Sequence, residues 1–221
     1  MSTLVYEQAK TMLELQSKMN SKVATDWVAQ RFPYLRAVTI EAAEAIEHHG
    51  WKWWKKQECD MPQLQMEIVD IWHFILSQLL LELDDNVDAA ADSLMNSVQH
   101  SDDTLKFDGN TYALNKLNLL EKLELLIGVS VANRIEIALF TQIMLDCDMN
   151  WTQLYQQYVS KNVLNFFRQD HGYKEGTYRK LWNSKEDNEH LVELMAELDP
   201  NNAEFASELY SKLSARYQQT A

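Results

Sequence analysis

Apolar residues return along most of the chain at intervals of three and four, the spacing of one helix face rather than of a strand. Val5, Met12, Leu15 and Met19 mark a first amphipathic helix from Leu4 to Met19, and the polar run "NSKVATD" breaks it. A second extends from Trp27 to His49, interrupted or entered at Pro33 and closed by Gly50, with Leu35, Val38 and Ala42 facing inward. Pro62 stands where a first-turn proline belongs. After it, "QLQMEIVDIWHFILSQLLLEL" is apolar on nearly every side past Ile68, which suits the centre of a bundle. Beyond an acidic, weakly apolar segment from Asp84 to Asp108, the pattern predicts helices at Tyr112 to Leu126 and Val129 to Asp146, joined at Gly128, and another at Trp151 to His171. Gly172 and Gly176 bracket a loop, "HGYKEGTYRKLWNSKEDN". Two short polar helices come after it, the last beginning near "DPNN". There is no internal repeat and no low-complexity tail.

Composition sharpens this to an all-α class, because five glycines and three prolines in 221 residues supply too few turns for an all-β fold. The expectation is one domain over residues 1–221: a helical bundle with a smaller mobile helical part, and residues 84–110 as a mobile or inserted segment. A formal charge of −13 argues against nucleic acid as partner, since phosphate-backbone binding is driven by basic patches. Cys59 and Cys147 lie far apart without C-x-x-C spacing, so neither a disulfide framework nor a thiolate metal site is implied. No basic leader precedes an apolar core, and no apolar run reaches the roughly 18 residues a bilayer span needs. A cytoplasmic protein, without a membrane partner, is expected.

The chemistry lies in carboxylates and in a local cluster of cations. Glu41 and Glu44 are spaced i, i+3, which places both on one helix face about 5 to 6 Å apart. Glu67 and Asp70 repeat the spacing on the central helix. Two antiparallel helices presenting these pairs to one another would build an oxygen site for hard dications, with Mg²⁺ the obvious occupant. A glutamate pair is also commonplace on solvated faces. However, Glu67 and Asp70 sit in "MEIVDIWHFIL", where burial is costly unless a cation pairs with them. Toward the C-terminus, Lys161 and Arg168 are two helical turns apart with Asn165 between them, and Lys174, Arg179 and Lys180 come next. In so acidic a chain this is a local cationic site.

These blocks together carry a resemblance. Glu41-x-x-Glu44, twenty-two residues, then Glu67-x-x-Asp70 resembles the metal motif of the all-α NTP pyrophosphatase superfamily, which includes the MazG proteins. "GWKWWK" from Gly50, "EIVDIWHF" from Glu67 and "YVSKNVLNFFRQDHGYKEGTYRKLWNSKEDN" from Tyr158 are similar to the dimeric dUTPases within it, over about Gln16 to Asn188. The resemblance implies Glu41, Glu44, Glu67 and Asp70 as ligands of two or more Mg²⁺ ions. It implies Lys161, Arg168, Tyr173 and Lys180 as phosphate contacts, with Asn165 and Asn188 lining the same site. Trp53 would be the wall against uracil, Gln16 and Asn20 its amide contacts, and His73 and Phe74 the close of the base and deoxyribose pocket. Trp51, Trp54 and Trp72 read instead as core or subunit-contact residues, and His73 alone would read as a core histidine.

The resemblance further implies hydrolysis of dUTP and of dUDP, attack at the β-phosphorus, a homodimer, and closure of a mobile part over the nucleotide. Metal ions would neutralise charge on the phosphates and activate water, Glu44 with Glu41 would orient or deprotonate it, and Lys161 and Arg168 would hold the pyrophosphate portion. Preference for dCTP or a broader range stays open, because an amide turned over reads a different base edge. A di-iron bundle would require two Glu-x-x-His motifs, which only Asp70-Ile71-Trp72-His73 approaches. A non-enzymatic interaction protein would leave four carboxylates and the cationic block without use.

Overall fold

The computed structural model of the protein describes residues 3–100, 102–199, 202 and 204–219. Ten α-helices account for most of these residues. The first, α1 (Tyr6–Val23), continues a turn past the expected end and leads through the single-turn α2 (Trp27–Gln30) to α3 (Tyr34–His49). Arg31, at φ 48°, ends α2 and Gly50, at φ 87°, ends α3, so the expected break before Pro33 separates two helices. The inward face of α3 includes Leu35, Val38 and Ala42 as expected. Of the expected face of α1, Met12 and Met19 are buried and Leu15 packs against the core, while Val5, just ahead of the helix, is 51% exposed; Ala9, Leu13 and Gln16 are buried beside them.

Helix α4 (Met61–Glu82) is the central element. Asp60 caps it by accepting from the Gln63 amide at 3.3 Å, and Pro62 occupies its first turn. Contrary to the expectation that no apolar run is long enough for a bilayer, α4 at 22 residues is so by length and composition, yet it is mostly buried within the bundle, as suits a core helix. It runs antiparallel to α3, so that His48 late in α3 meets Glu67 early in α4. Trp72 fixes the middle of the core: it stacks on Phe140 with ring centroids 4.7 Å apart and meets Trp151 edge-on at 5.4 Å. Its removal would cost about 3 to 5 kcal/mol.

The acidic segment after α4 forms α5 (Val87–Gln99), which buries Ala90, Ala91 and Leu94, and then a hairpin of β1 (Thr104–Phe107) and β2 (Asn110–Ala113). Asp108 and Gly109 form the turn, both at positive φ, as a two-residue hairpin loop demands. Tyr112 therefore lies in a strand, not in the expected helix. Helix α6 (Leu119–Val131) starts at an Asn118–Glu121 capping box, and α7 spans Ile137–Asp146. Gly128 is not the joint between them. It lies within α6, where a Cβ would stand 3.1 Å from the Phe107 ring, so the glycine permits the hairpin to approach. The chain turns instead at Asn133, with φ 57°.

Helix α8 (Trp151–Asp170), capped by Asn150 and Gln153, packs against α1 and α4. A second hairpin, β3 (Leu181–Trp182) and β4 (Lys185–Glu186), precedes α9 (Asp187–Met195) and α10 (Phe205–Gln219). The expected start near "DPNN" includes positions outside the described residues. Here Leu164, Phe167, Trp182, Leu191, Leu209 and Leu213 form a smaller core that fastens α9 and α10 to α8.

Candidate active site

Helices α1, α3, α4 and α8 converge on two adjoining cavities of about 500 and 530 Å³. Both are lined by Glu41, Asp70, Lys161, Arg168 and Tyr173, which form their shared wall. One chamber is polar and adds Glu44, His48, Glu67, Lys180 and Asn188. The other adds apolar side chains, among them Phe32 and Phe74, together with Gln16, Asn20, His73 and Asn165. The i, i+3 spacings of the sequence put the acids of α3 and α4 on facing sides.

In the polar chamber, carboxylate oxygens of Glu41, Glu67 and Asp70 lie within 4.8 Å of one another. Burial, then Asp70 and Glu44, push Glu41 up to about 7. Burial and Asp70 push Glu67 up to about 8, against the opposing pull of Lys161. Carboxylates this crowded favour protons unless a cation takes their place. The donors are all hard oxygens, a set that fits Mg²⁺ or a related dication. Glu44 stands outside this trio, on an exposed turn at the rim. His48, which carries no signal in the sequence pattern, brings Nε2 to 3.5 Å from Glu67 Oε1.

Two cations from α8 face the acids. Lys161 Nζ donates to Asp70 Oδ2 at 2.8 Å and to Asn188 Oδ1 at 3.1 Å. Arg168 donates from Nε and Nη2 to the two oxygens of Asp187, at 2.7 and 2.8 Å, and from Nη1 to Asn165 at 3.2 Å. Burial alone would raise Asp187, but the hydrogen bonds and charge of Arg168 hold it below the usual carboxylate range. Lys180 is exposed and pairs with Glu186 at 3.1 Å, and the Tyr173 ring lies 5.8 Å from the Arg168 guanidinium.

The amide-lined chamber has a buried polar base. Gln16 Oε1 accepts from the Tyr158 hydroxyl and from His73 Nδ1, each at 2.8 Å, while Gln16 Nε2 donates to Ser77 Oγ at 2.8 Å and Asn20 Oδ1 at 3.0 Å. With the carboxamide set this way, His73 carries its proton on Nδ1 and an open lone pair on Nε2. Burial lowers its pKa to about 3, so the ring is neutral. Asn20 Nδ2 and His73 Nε2 are left buried without a protein partner. Neither Ser77 nor Tyr158 is expected from the sequence. Ser77 is legible in retrospect, one turn beyond His73 on the same face.

Trp53 lies apart from both chambers. It is 86% exposed and meets Trp54 edge-on at 4.5 Å, and Trp51 donates from Nε1 to Glu47 at 2.6 Å. Among the three other tryptophans assigned to packing, Trp72 is in the core and Trp54 is exposed.

The fold is an all-α bundle whose polar chamber sets a trio of carboxylates beside Lys161 and Arg168. A family model described as dUTPase matches residues 8–173, most of the chain. The chain belongs to the dUTPase family and is a dUTP diphosphatase by that membership. None of the curated proteins compared with it matches. The family match covers α1 to α8 and ends before Lys180, Asp187 and Asn188.

Proposed function

We propose that the amide-lined chamber takes the uracil and deoxyribose of dUTP, that the polar chamber takes its phosphates, and that Mg²⁺ is the metal. The observation that carries this reading is the pair of unpartnered atoms in the nucleoside chamber, Asn20 Nδ2 and His73 Nε2. One donates and the other accepts. Uracil answers with carbonyl oxygens and N3–H, whereas cytosine presents a lone pair at N3 and an amine at C4, the opposite polarity. Buried polar groups without partners cost about 1 to 3 kcal/mol each, and a ligand that satisfies them regains it.

Glu41, Glu67 and Asp70, with Glu44 at the rim, would hold the metal, which when bound neutralises phosphate charge and acidifies a coordinated water. Lys161 and Arg168 bind phosphate oxygens and stabilise the charge that grows on them. Glu44 orients the attacking water and accepts its proton. Attack at the β-phosphorus breaks the bond to the oxygen bridging from the α-phosphorus. dUMP leaves with that oxygen, and pyrophosphate gains the oxygen of water. With dUDP the same step yields dUMP and phosphate.

Trp53 reaches this chamber only across a subunit contact or on closure, and a homodimer is part of the reading. So is a cytoplasmic, single-domain enzyme with a mobile part. The test is release of pyrophosphate or phosphate from dUTP, dUDP, dCTP and dTTP, with and without Mg²⁺. Metal-dependent turnover of dUTP and dUDP well above dCTP is expected; equal rates on dCTP would overturn the uracil reading.

A further inference from the structure

The C-terminal helix α10 lies outside the family match, yet it is connected to Arg168 by an unbroken series of contacts. Tyr217 of α10 stacks on Tyr178, with centroids 5.5 Å apart and planes inclined by 11°. The Tyr178 hydroxyl donates to Asp187 Oδ2 at 2.8 Å. Asp187, 0% exposed, receives both Nε and Nη2 of Arg168. Tyr217 is itself held in place: its hydroxyl accepts from the Arg179 amide at 3.2 Å, and its carbonyl accepts from the Arg179 guanidinium at 3.1 Å.

We infer that Asp187, Tyr178 and Tyr217 are positioning residues for Arg168, and that α10 thereby sets the orientation of the guanidinium toward the phosphates. The inference rests on the proposed role of Arg168 at the phosphates. A guanidinium is planar, and a carboxylate gripping Nε and Nη2 fixes that plane; Nη2 also donates to Asn188 at 3.3 Å and Nη1 to Asn165 at 3.2 Å, which leaves the second N–H of Nη1 to meet a ligand. Asp187 can hold one orientation only if its own carboxylate is held. The hydroxyl of Tyr178 does this at the oxygen shared with Nε, and the stack on Tyr217 stops the Tyr178 ring from turning away. A surface clamp of exposed ion pairs would be weak; this one is buried at Asp187 and largely buried at Arg168.

The experiment uses the full chain and measures kcat and KM for dUTP, with a melting curve for each variant. Tyr178→Phe deletes one hydroxyl and keeps the stack. Misplacing a charge-stabilising group by a fraction of an ångström is expected to lower kcat about tenfold with KM almost unchanged. Tyr217→Leu should reproduce that loss, and Tyr217→Phe, which keeps the ring, should restore most of it. The deciding arm is the Arg168→Lys background, where the two-pronged grip no longer exists: there Tyr178→Phe should have no further effect on kcat. An equal loss in both backgrounds, or none in the first, overturns the inference while dUTP hydrolysis by the parent chain leaves the proposed function standing. If Arg168→Lys hydrolyses dUTP at the parent rate, the role of Arg168 fails, and the positioning claim with it.

Discussion

Lys161 places its ammonium 2.8 Å from Asp70 Oδ2 with its side chain 2% exposed, so a buried cation sits against the carboxylate trio. It lessens the repulsion among Glu41, Glu67 and Asp70 without cancelling it, one positive charge against three acids. Lys161→Met should therefore destabilise the metal-free protein by about 3 kcal/mol, the scale for stranding one member of a buried pair. Chemical denaturation in the presence of a chelator measures it. A loss below about 1 kcal/mol would mean that the pair contributes little.

The same crowding fixes a pH dependence. Burial raises Glu41 and Glu67 from an ordinary value of 4.5 to about 7 and about 8, so the folded chain binds more protons than the unfolded one between those limits. Their contribution to stability is full below pH 4.5 and is lost as pH rises through 7 and 8. Melting temperatures of the chelated protein should fall across that window, and millimolar Mg²⁺ should flatten the fall. A chelated protein that is most stable near pH 8 would contradict the crowding.

Two neighbouring substitutions should have opposite signs. Glu67→Gln removes an acid that burial and Asp70 penalise, so hydrolysis is lost while the chelated protein melts higher. Asp70→Asn also abolishes hydrolysis, but it takes the charged partner from Lys161, and the chelated protein melts lower. Shifts of the same direction in both variants would show that the trio does not divide in this way.

For the nucleoside chamber, Asn20→Asp replaces the unpartnered N–H by an oxygen. Binding of dUMP, measured by calorimetry, should weaken by about 1 to 3 kcal/mol, the cost of an unsatisfied polar contact. Unchanged affinity would remove Asn20 from base recognition.

Trp53 gives a sharper contrast. At 86% exposed it contributes little to the core, and Trp53→Ala should leave the melting temperature within a degree or so. If it reaches the base in the assembled enzyme, dUMP binding falls by about 1 to 3 kcal/mol, the worth of a lost base stack. Normal dUMP binding in a normally folded variant would dismiss it as the wall against uracil.

Much of this is legible in the sequence because helices declare themselves by spacing. Glu41, Glu44, Glu67 and Asp70 are marked by an i, i+3 pattern, and the structure brings three of the four into one cluster, with Glu44 at its rim. Gly128 misleads because a glycine that ends a helix and one that lets a ring approach look alike until Phe107 is known to lie beside it. The Asp108-Gly109 pair is a hairpin signal, but the surrounding acidic run hides strands only four residues long. Asp187 cannot be told from its exposed neighbours in "SKEDN", since nothing local reveals that Arg168 will reach it. Tyr158 is similarly hidden: its partner Gln16 lies on the first helix, at the far end of the chain.

The wall shared by the two cavities bears on inhibitor design. Each chamber is large enough for a separate small fragment, a uracil-like ring in one and a bisphosphonate in the other, and a linker would have to skirt the wall of Glu41, Asp70, Lys161, Arg168 and Tyr173. Joining the fragments converts the second binding event into an intramolecular one at an effective concentration in the millimolar range for a short linker. Two weak ligands would then combine into one tight ligand without either having to be improved.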